Sequence, residues 1–204
     1  MHTRNIIIVL VLGIAIAVGL TVALRDSGAP AATVTATILP AGNELPEFEL
    51  LDQDGKPADR SVFAGQWDLV FFGFTNCPDI CPATMTLLGQ ARRQLETQGQ
   101  QPLPRVVLVS VDPERDTPEA MGRYIAYFGD GNLGLTGDIA EIRKLTDALG
   151  IFFQKAPGDG DAYGVDHSAV VLVIDPRARL KALFSAPHDV GTLVHDLPLI
   201  MGQE

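Results

Sequence analysis

The sequence predicts an α/β domain with a mixed central sheet, preceded by one N-terminal transmembrane helix. Three observations carry this. A charge-free apolar run lies near the N-terminus, strand and helix patterns alternate from about residue 46 onward, and two strands joined by a tight turn come late in the chain. The chain has 204 residues, enough for one well-buried domain once an anchor is set aside.

Ile6 to Leu24 is nineteen residues without a charge. At about 1.5 Å per residue it spans roughly 29 Å, close to the hydrocarbon thickness of a bilayer. The competing reading is a cleaved secretory signal, whose apolar core is usually about 7 to 15 residues. Ala29-Pro30-Ala31 is also a poor cleavage site because of its proline. Residues 1–25 therefore read as a membrane anchor. Arg4 precedes the span and Arg25 after it is offset by Asp26, so the short head stays in the cytoplasm and the remainder crosses. The expected location is a bacterial inner membrane, single-pass, with the C-terminal domain in the periplasm or otherwise outside the cytoplasm.

The net charge is −10, and setting aside Arg4 and Arg25 leaves 13 Lys+Arg against 25 Asp+Glu, or −12 for the exported part. So acidic a surface repels phosphate backbones, and no nucleic-acid partner is expected.

Residues 26–45 are rich in Ala, Thr, Gly and Pro without a period and read as a tether. The domain occupies 46–204. Phe48 to Leu51, the turn Asp52-Gln53-Asp54-Gly55 and a run near Ser61 to Phe63 predict an opening hairpin. Leu69 to Phe74 is a continuous apolar run, as expected of a strand covered on both faces. A helix follows over 82–98, with Met85, Leu88 and Leu95 at helical spacing, and then a buried strand over 106–111. Thr117 offers an N-cap, Pro118 a first helical residue and Glu119 a favourable charge for a helix ending near Phe128. Asp138 and Glu141 resemble a capping box for a helix that stops at Gly150. Strands over 169–174 and 180–184 flank the turn Asp175-Pro176, and a last helix spans 190–201.

The only two cysteines stand together in Cys77-Pro78-Asp79-Ile80-Cys81-Pro82, between a buried strand and a helix. Unpaired N–H groups and the dipole favour anions there, which predicts stabilised thiolates. At i,i+4 on a helical turn, both sulfurs reach one soft ion. Three readings stay open on the cysteines alone: a structural disulfide, a redox dithiol and a copper site.

Further blocks accompany this pair: Phe72-Gly73-Phe74-Thr75, Val109-Ser110-Val111-Asp112-Pro113-Glu114-Arg115-Asp116-Thr117-Pro118, Gly134-Leu135-Thr136-Gly137 and Val165-Asp166-His167-Ser168. In order and spacing, from about residue 45 to the C-terminus, the chain resembles the Sco/SenC family of copper chaperones for cytochrome c oxidase assembly. The resemblance implies a thioredoxin-like fold in which Cys77, Cys81 and His167 bind a copper ion, with Asp166 as a candidate to orient the histidine. It also implies an apo cytochrome c oxidase subunit carrying the copper centre as partner, and leaves the upstream copper donor open. Such a protein acts as a metallochaperone rather than an enzyme. The alternative is a thiol–disulfide reductase, with Cys77 and Cys81 as its redox pair, that keeps the oxidase's copper-ligand cysteines reduced.

The sequence departs from the family pattern at Asn76, where many relatives have histidine. It lacks the frequent glycine in the turn at 175–179 and has Val171 where an aromatic residue is common. None of these removes a proposed ligand. A peroxiredoxin-type peroxidase would need proline and threonine at the positions of Val70 and Phe74, so that pattern fails. Asp112, Arg115 and Asp116 read as a local ion-pair and capping cluster rather than a docking surface, and His188 and His195 as solvated histidines.

Overall fold

A computed structural model of the chain describes residues 35–158 and 163–202. The predicted span Ile6–Leu24 lies outside the described residues. Among those described, no helix is long and apolar enough to cross a membrane.

The central sheet grows outward from β4 (Asp68–Gly73), whose six residues are all buried. β4 lies parallel to β5 (Arg105–Ser110), and β5 parallel to β6 (Leu133–Thr136). On the other side β4 pairs antiparallel with β9 (Val170–Ile174), which turns into β10 (Arg179–Ser185). The edges are β1 (Thr37–Glu44) on one side, and β2 (Leu50–Asp52) with β3 (Pro57–Ala58) on the other. The full order is β1-β10-β9-β4-β5-β6-β2-β3, a mixed eight-stranded sheet as the alternating pattern predicts.

Helices supply the cover over the apolar run 69–72 of β4. α1 (Ile80–Thr97) buries Cys81, Thr84, Met85, Leu88, Ala91 and Leu95 along one face and packs against α4 (Val190–Met201). α2 (Pro118–Ala126) starts as expected, with Thr117 accepting a bond from the Ala120 N–H, and lies on β6. That approach is close. A Cβ on Gly134 would stand 3.2 Å from Met121 Cε and 3.3 Å from Ile125 Cδ1, so the strand needs glycine there. α3 (Ile139–Leu149) begins at Asp138, whose side chain accepts from the Ala140 N–H at 2.7 Å, and ends at left-handed Gly150.

Several elements differ from the sequence reading. Thr37–Glu44, within the stretch that reads as a tether, is a strand paired with β10. As an edge strand it tolerates Pro40 and a break in register between Ile38 and Asn43, and both hide its pattern. Residues 61–63 do not form the second arm of the opening hairpin. That arm is Pro57–Ala58, and Arg60–Phe63 is a 3₁₀ turn capped by Asp59 through the Ser61 N–H, which drops Phe63 into the core. Glu141 does not close a capping box; its carboxylate accepts from the Glu49 N–H at 3.0 Å instead. A second, two-stranded sheet is formed by β7 (Phe153–Lys155) and β8 (Val165–His167), and neither strand is marked by periodicity.

Candidate metal centre

The parallel strands end at Gly73 and Ser110, and the chain emerging from β4 carries the cysteines. Cys77 sits in the loop before α1, held by its N–H to the Phe74 carbonyl at 3.3 Å. Cys81 lies in the first turn of α1 and donates its N–H to Cys77 Sγ at 3.4 Å. Cys81 is 0% exposed and Cys77 9%. Its depth places the Cys81 sulfur against the end of β4. A Cβ on Gly73 would come within 2.9 Å of that Sγ, so the absence of a side chain at 73 makes room for the thiol.

His167 reaches the same point from β8. Its Nε2 lies 3.4 Å from Cys81 Sγ, and the three potential donor atoms of Cys77, Cys81 and His167 all lie within 4.8 Å of one another. Among the described residues this is the group of histidine, cysteine and carboxylate side chains that converges in this way. The Phe71 and Phe74 rings meet the imidazole edge-on, at 5.7 and 6.0 Å between centroids. His167 Nδ1 faces the Ser168 carbonyl at 3.2 Å. A carbonyl only accepts, so the proton belongs on Nδ1 and the Nε2 lone pair points at the sulfurs. The orienting partner is therefore the Ser168 backbone. Asp166, expected in that role, alternates to the exposed side of β8.

The electrostatics correct another expectation. Burial pushes the Cys81 thiol far up, with the neighbouring Cys77 adding to it and the Phe74 backbone opposing it. Burial likewise lowers the His167 pKa. Without a cation the site thus favours a neutral Cys81 thiol beside a neutral imidazole. A bound soft cation supplies the missing charge, and its arrival must release thiol protons.

The cysteine loop is braced from beneath. Asp116, fully buried, accepts from Thr75 Oγ1 and Ser110 Oγ at 2.6 Å each and from the Thr75 N–H at 3.2 Å. Arg115 bonds Asp112. These contacts fit the local-cluster reading of Asp112, Arg115 and Asp116. His188 is half-buried and meets the Ala169 carbonyl at 3.1 Å, and His195 Nδ1 lies 2.8 Å from Asp196, so neither histidine is merely solvated. Gly73 and Thr75 lie within the FGFT block and were legible as part of it. Ser168 gave no signal of its role.

A thioredoxin-like domain with two cysteines and one histidine gathered at the ends of its parallel strands carries the donor set that suits a soft metal ion. The SCO1/SenC family profile matches residues 36–202, and the chain belongs to that family. It is 41% identical to the mitochondrial SCO2 homolog of Mus musculus over 152 residues, covering 74% of this chain and 60% of the mouse protein. The crystal structure of Arabidopsis thaliana ScoI with copper bound is similar at a TM-score of 0.74 and 32% identity, over 78% of this chain and 99% of that one. Yeast Sco1 with copper bound is similar at a TM-score of 0.70 and 28% identity, over 76% and 86%.

Proposed function

We propose that the chain binds one copper ion through Cys77, Cys81 and His167 and passes it to an apo cytochrome c oxidase subunit during assembly of the copper centre. The observation that carries this is the convergence of two sulfurs and one imidazole nitrogen within 4.8 Å, behind a loop whose Pro78, Asp79 and Ile80 are exposed. Copper bound to the Arabidopsis and yeast relatives supports the choice of metal. Two thiolates suit Cu(I), and the imidazole lets the same site hold Cu(II) without full rearrangement. Cys77, nearer the surface, is the ligand an incoming donor from the partner displaces first. Cys81 and His167 then hold the metal until the partner's set is complete. Ile6–Leu24 anchors the domain to the membrane, with the copper site outside the cytoplasm.

Transfer is tested by mixing the copper-loaded full chain with an apo oxidase copper domain and following the acceptor's absorption. The metal should move with Cys77, Cys81 and His167 intact. An acceptor that stays empty while the loaded chain keeps its copper overturns delivery.

A second reading rests on the same pair. Cys77 attacks a partner disulfide and Cys81 resolves the mixed disulfide, so two thiols become a Cys77–Cys81 disulfide as the partner gains two electrons and two protons. The buried Cys81 thiol suits the resolving position better than the attacking one. Reduction of acceptor disulfides by the metal-free dithiol form, lost in Cys77→Ser, is its signature.

A further inference from the structure

The two halves of the site hang from different parts of the fold. The cysteines belong to the main sheet and α1, whereas His167 rides on β7 and β8, which share no ladder with that sheet. Within the hairpin, the Ser168 N–H bonds the Phe152 carbonyl at 2.9 Å and the Phe152 N–H bonds Ser168 Oγ at 3.0 Å. These bonds close the hairpin on itself; after Ser168 and Ala169 the chain enters β9, which ties the C-terminal end of β8 to β4, and the N-terminal end of β8 is held separately.

Tyr163, four residues before His167, does make contact with the body. Its hydroxyl donates to Asp112 Oδ1 at 2.7 Å, with Glu114 Oε2 at 3.3 Å as a second acceptor. Its carbonyl accepts from Arg115 Nη1 at 3.1 Å. Two cations lie over its ring, the Arg115 guanidinium at 3.6 Å and the Lys155 ammonium at 3.8 Å, and Lys155 is itself bound to Glu114 at 2.6 Å. The ring is almost wholly buried. Asp112, Glu114 and Arg115 all come from the segment between β5 and α2, which also contributes the Asp116 that pins Thr75 beneath the cysteines. Arg115 lies 5.8 Å from the Phe74 ring, which in turn meets His167. One five-residue bracket, 112–116, thus grips the cysteine loop on one side and the histidine strand on the other.

We propose that Tyr163 is a positioning residue for His167: by latching β8 to the 112–116 bracket it fixes the imidazole against the two sulfurs. This rests on the copper reading of the site. Tyr163 lies four residues, about 13 Å of extended chain, before His167 and holds the end of β8 that β9 does not, so a slip at Tyr163 tilts the strand about its β9 end and turns Nε2 away from Cys81. Tyr163→Phe keeps the ring under its cations and loses the bond to Asp112; Tyr163→Ala loses both.

The test uses the full chain in detergent as wild type, Tyr163→Phe, Tyr163→Ala and His167→Ala. Each is measured by Cu(II) EPR, by rate of copper loss to a chelator and, without copper, by amide exchange. Tyr163→Ala should still take up copper, but its EPR signal should move most of the way to that of His167→Ala, with copper lost at least about 10-fold faster. Exchange in 153–155 and 165–167 should accelerate by about 10-fold or more while β4 and β5 keep their protection. Tyr163→Phe should fall between. A wild-type EPR signal and wild-type hairpin protection in Tyr163→Ala overturn the latch. If Tyr163→Ala does not fold, Tyr163→Phe decides: faster hairpin exchange at an unchanged melting temperature supports the latch, and unchanged exchange overturns it. If wild type shows no copper signal sensitive to His167, the copper reading has failed, and the exchange data on the metal-free chain still judge the latch.

Discussion

The two ends of the central sheet differ in how fully they satisfy the polar groups they bury. At the end where β4 and β5 begin, Asp68 is fully buried against Arg105, which also bonds the Val62 carbonyl, and the neighbouring Asp175 is fully buried against Arg179. Each carboxylate carries its own cation. At the end where the same strands finish, Asp112 and Asp116 are likewise satisfied from within, but Cys81 and His167 are withdrawn from water with no ion pair among the described residues to compensate a charged form. The buried carboxylates at both ends are satisfied from within the chain, whereas the buried thiol and imidazole at one end are not.

The largest expected effect breaks the functional end. Cys81→Ala should lower copper affinity by several orders of magnitude, since a thiolate donor is removed outright, while the metal-free fold should lose only about 1 kcal/mol. Copper competition against a chelator and urea unfolding measure the two quantities side by side.

The opposite dissociation belongs to the other end. Arg105→Ala should destabilise the domain by about 3 kcal/mol, because it strands a buried carboxylate, and should leave copper stoichiometry unchanged under native conditions. Unfolding midpoints and metal analysis check it. A drop in copper affinity with an intact fold would show that the ends are not independent.

Gly73→Ala sharpens the comparison at one atom. The added methyl meets Cys81 Sγ at 2.9 Å and Phe71 Cε1 at 3.0 Å, so the strand or the thiol must shift. A destabilisation of about 1–3 kcal/mol is expected, together with an altered Cu(II)–thiolate absorption. Wild-type absorption in a folded Gly73→Ala protein would contradict the packing account.

The smallest effect is on pH dependence. Burial lowers the pKa values of His167 and His188, so the unfolded chain takes up protons ahead of the folded one. Their contribution to metal-free stability is full above about pH 6.5 and falls as pH drops toward the lowered values, by at most about 1.4 kcal/mol per unit per histidine. Asp68 works in the other sense. Burial raises it to about 6 despite Arg105, so its folded form gains a proton first and stability rises as pH falls from about 6 toward 3.8. Urea midpoints between pH 7.5 and 5.5 should therefore fall more steeply in Asp68→Asn than in wild type, and less steeply in His188→Gln.

The same contrast explains what the sequence could say. Leu69–Phe74, the caps at Thr117 and Asp138 and the closing helix were legible because local chemistry decides them. The convergence of Cys77, Cys81 and His167 is legible because their motifs keep recognisable order. β1 was not, since pairing with β10 rather than its own composition makes it a strand. The depth of Cys81 is not legible, because its local position, a helix N-terminus, favours a thiolate and only the packing of β4 and α1 shows how far the sulfur is withdrawn from water. The Tyr163 contacts join residues some fifty positions apart, a separation that no local pattern announces.

The central claim is that the uncompensated end is a copper site made of these three side chains. Copper titration of the reduced full chain, followed by thiolate-to-copper absorption and EPR, with Cys81→Ala and His167→Ala beside it, tests this most directly. One copper per chain, a Cu(II) signal altered in His167→Ala and no tight binding in Cys81→Ala are the expected results. Stoichiometric copper with an unchanged signal in both variants would contradict it.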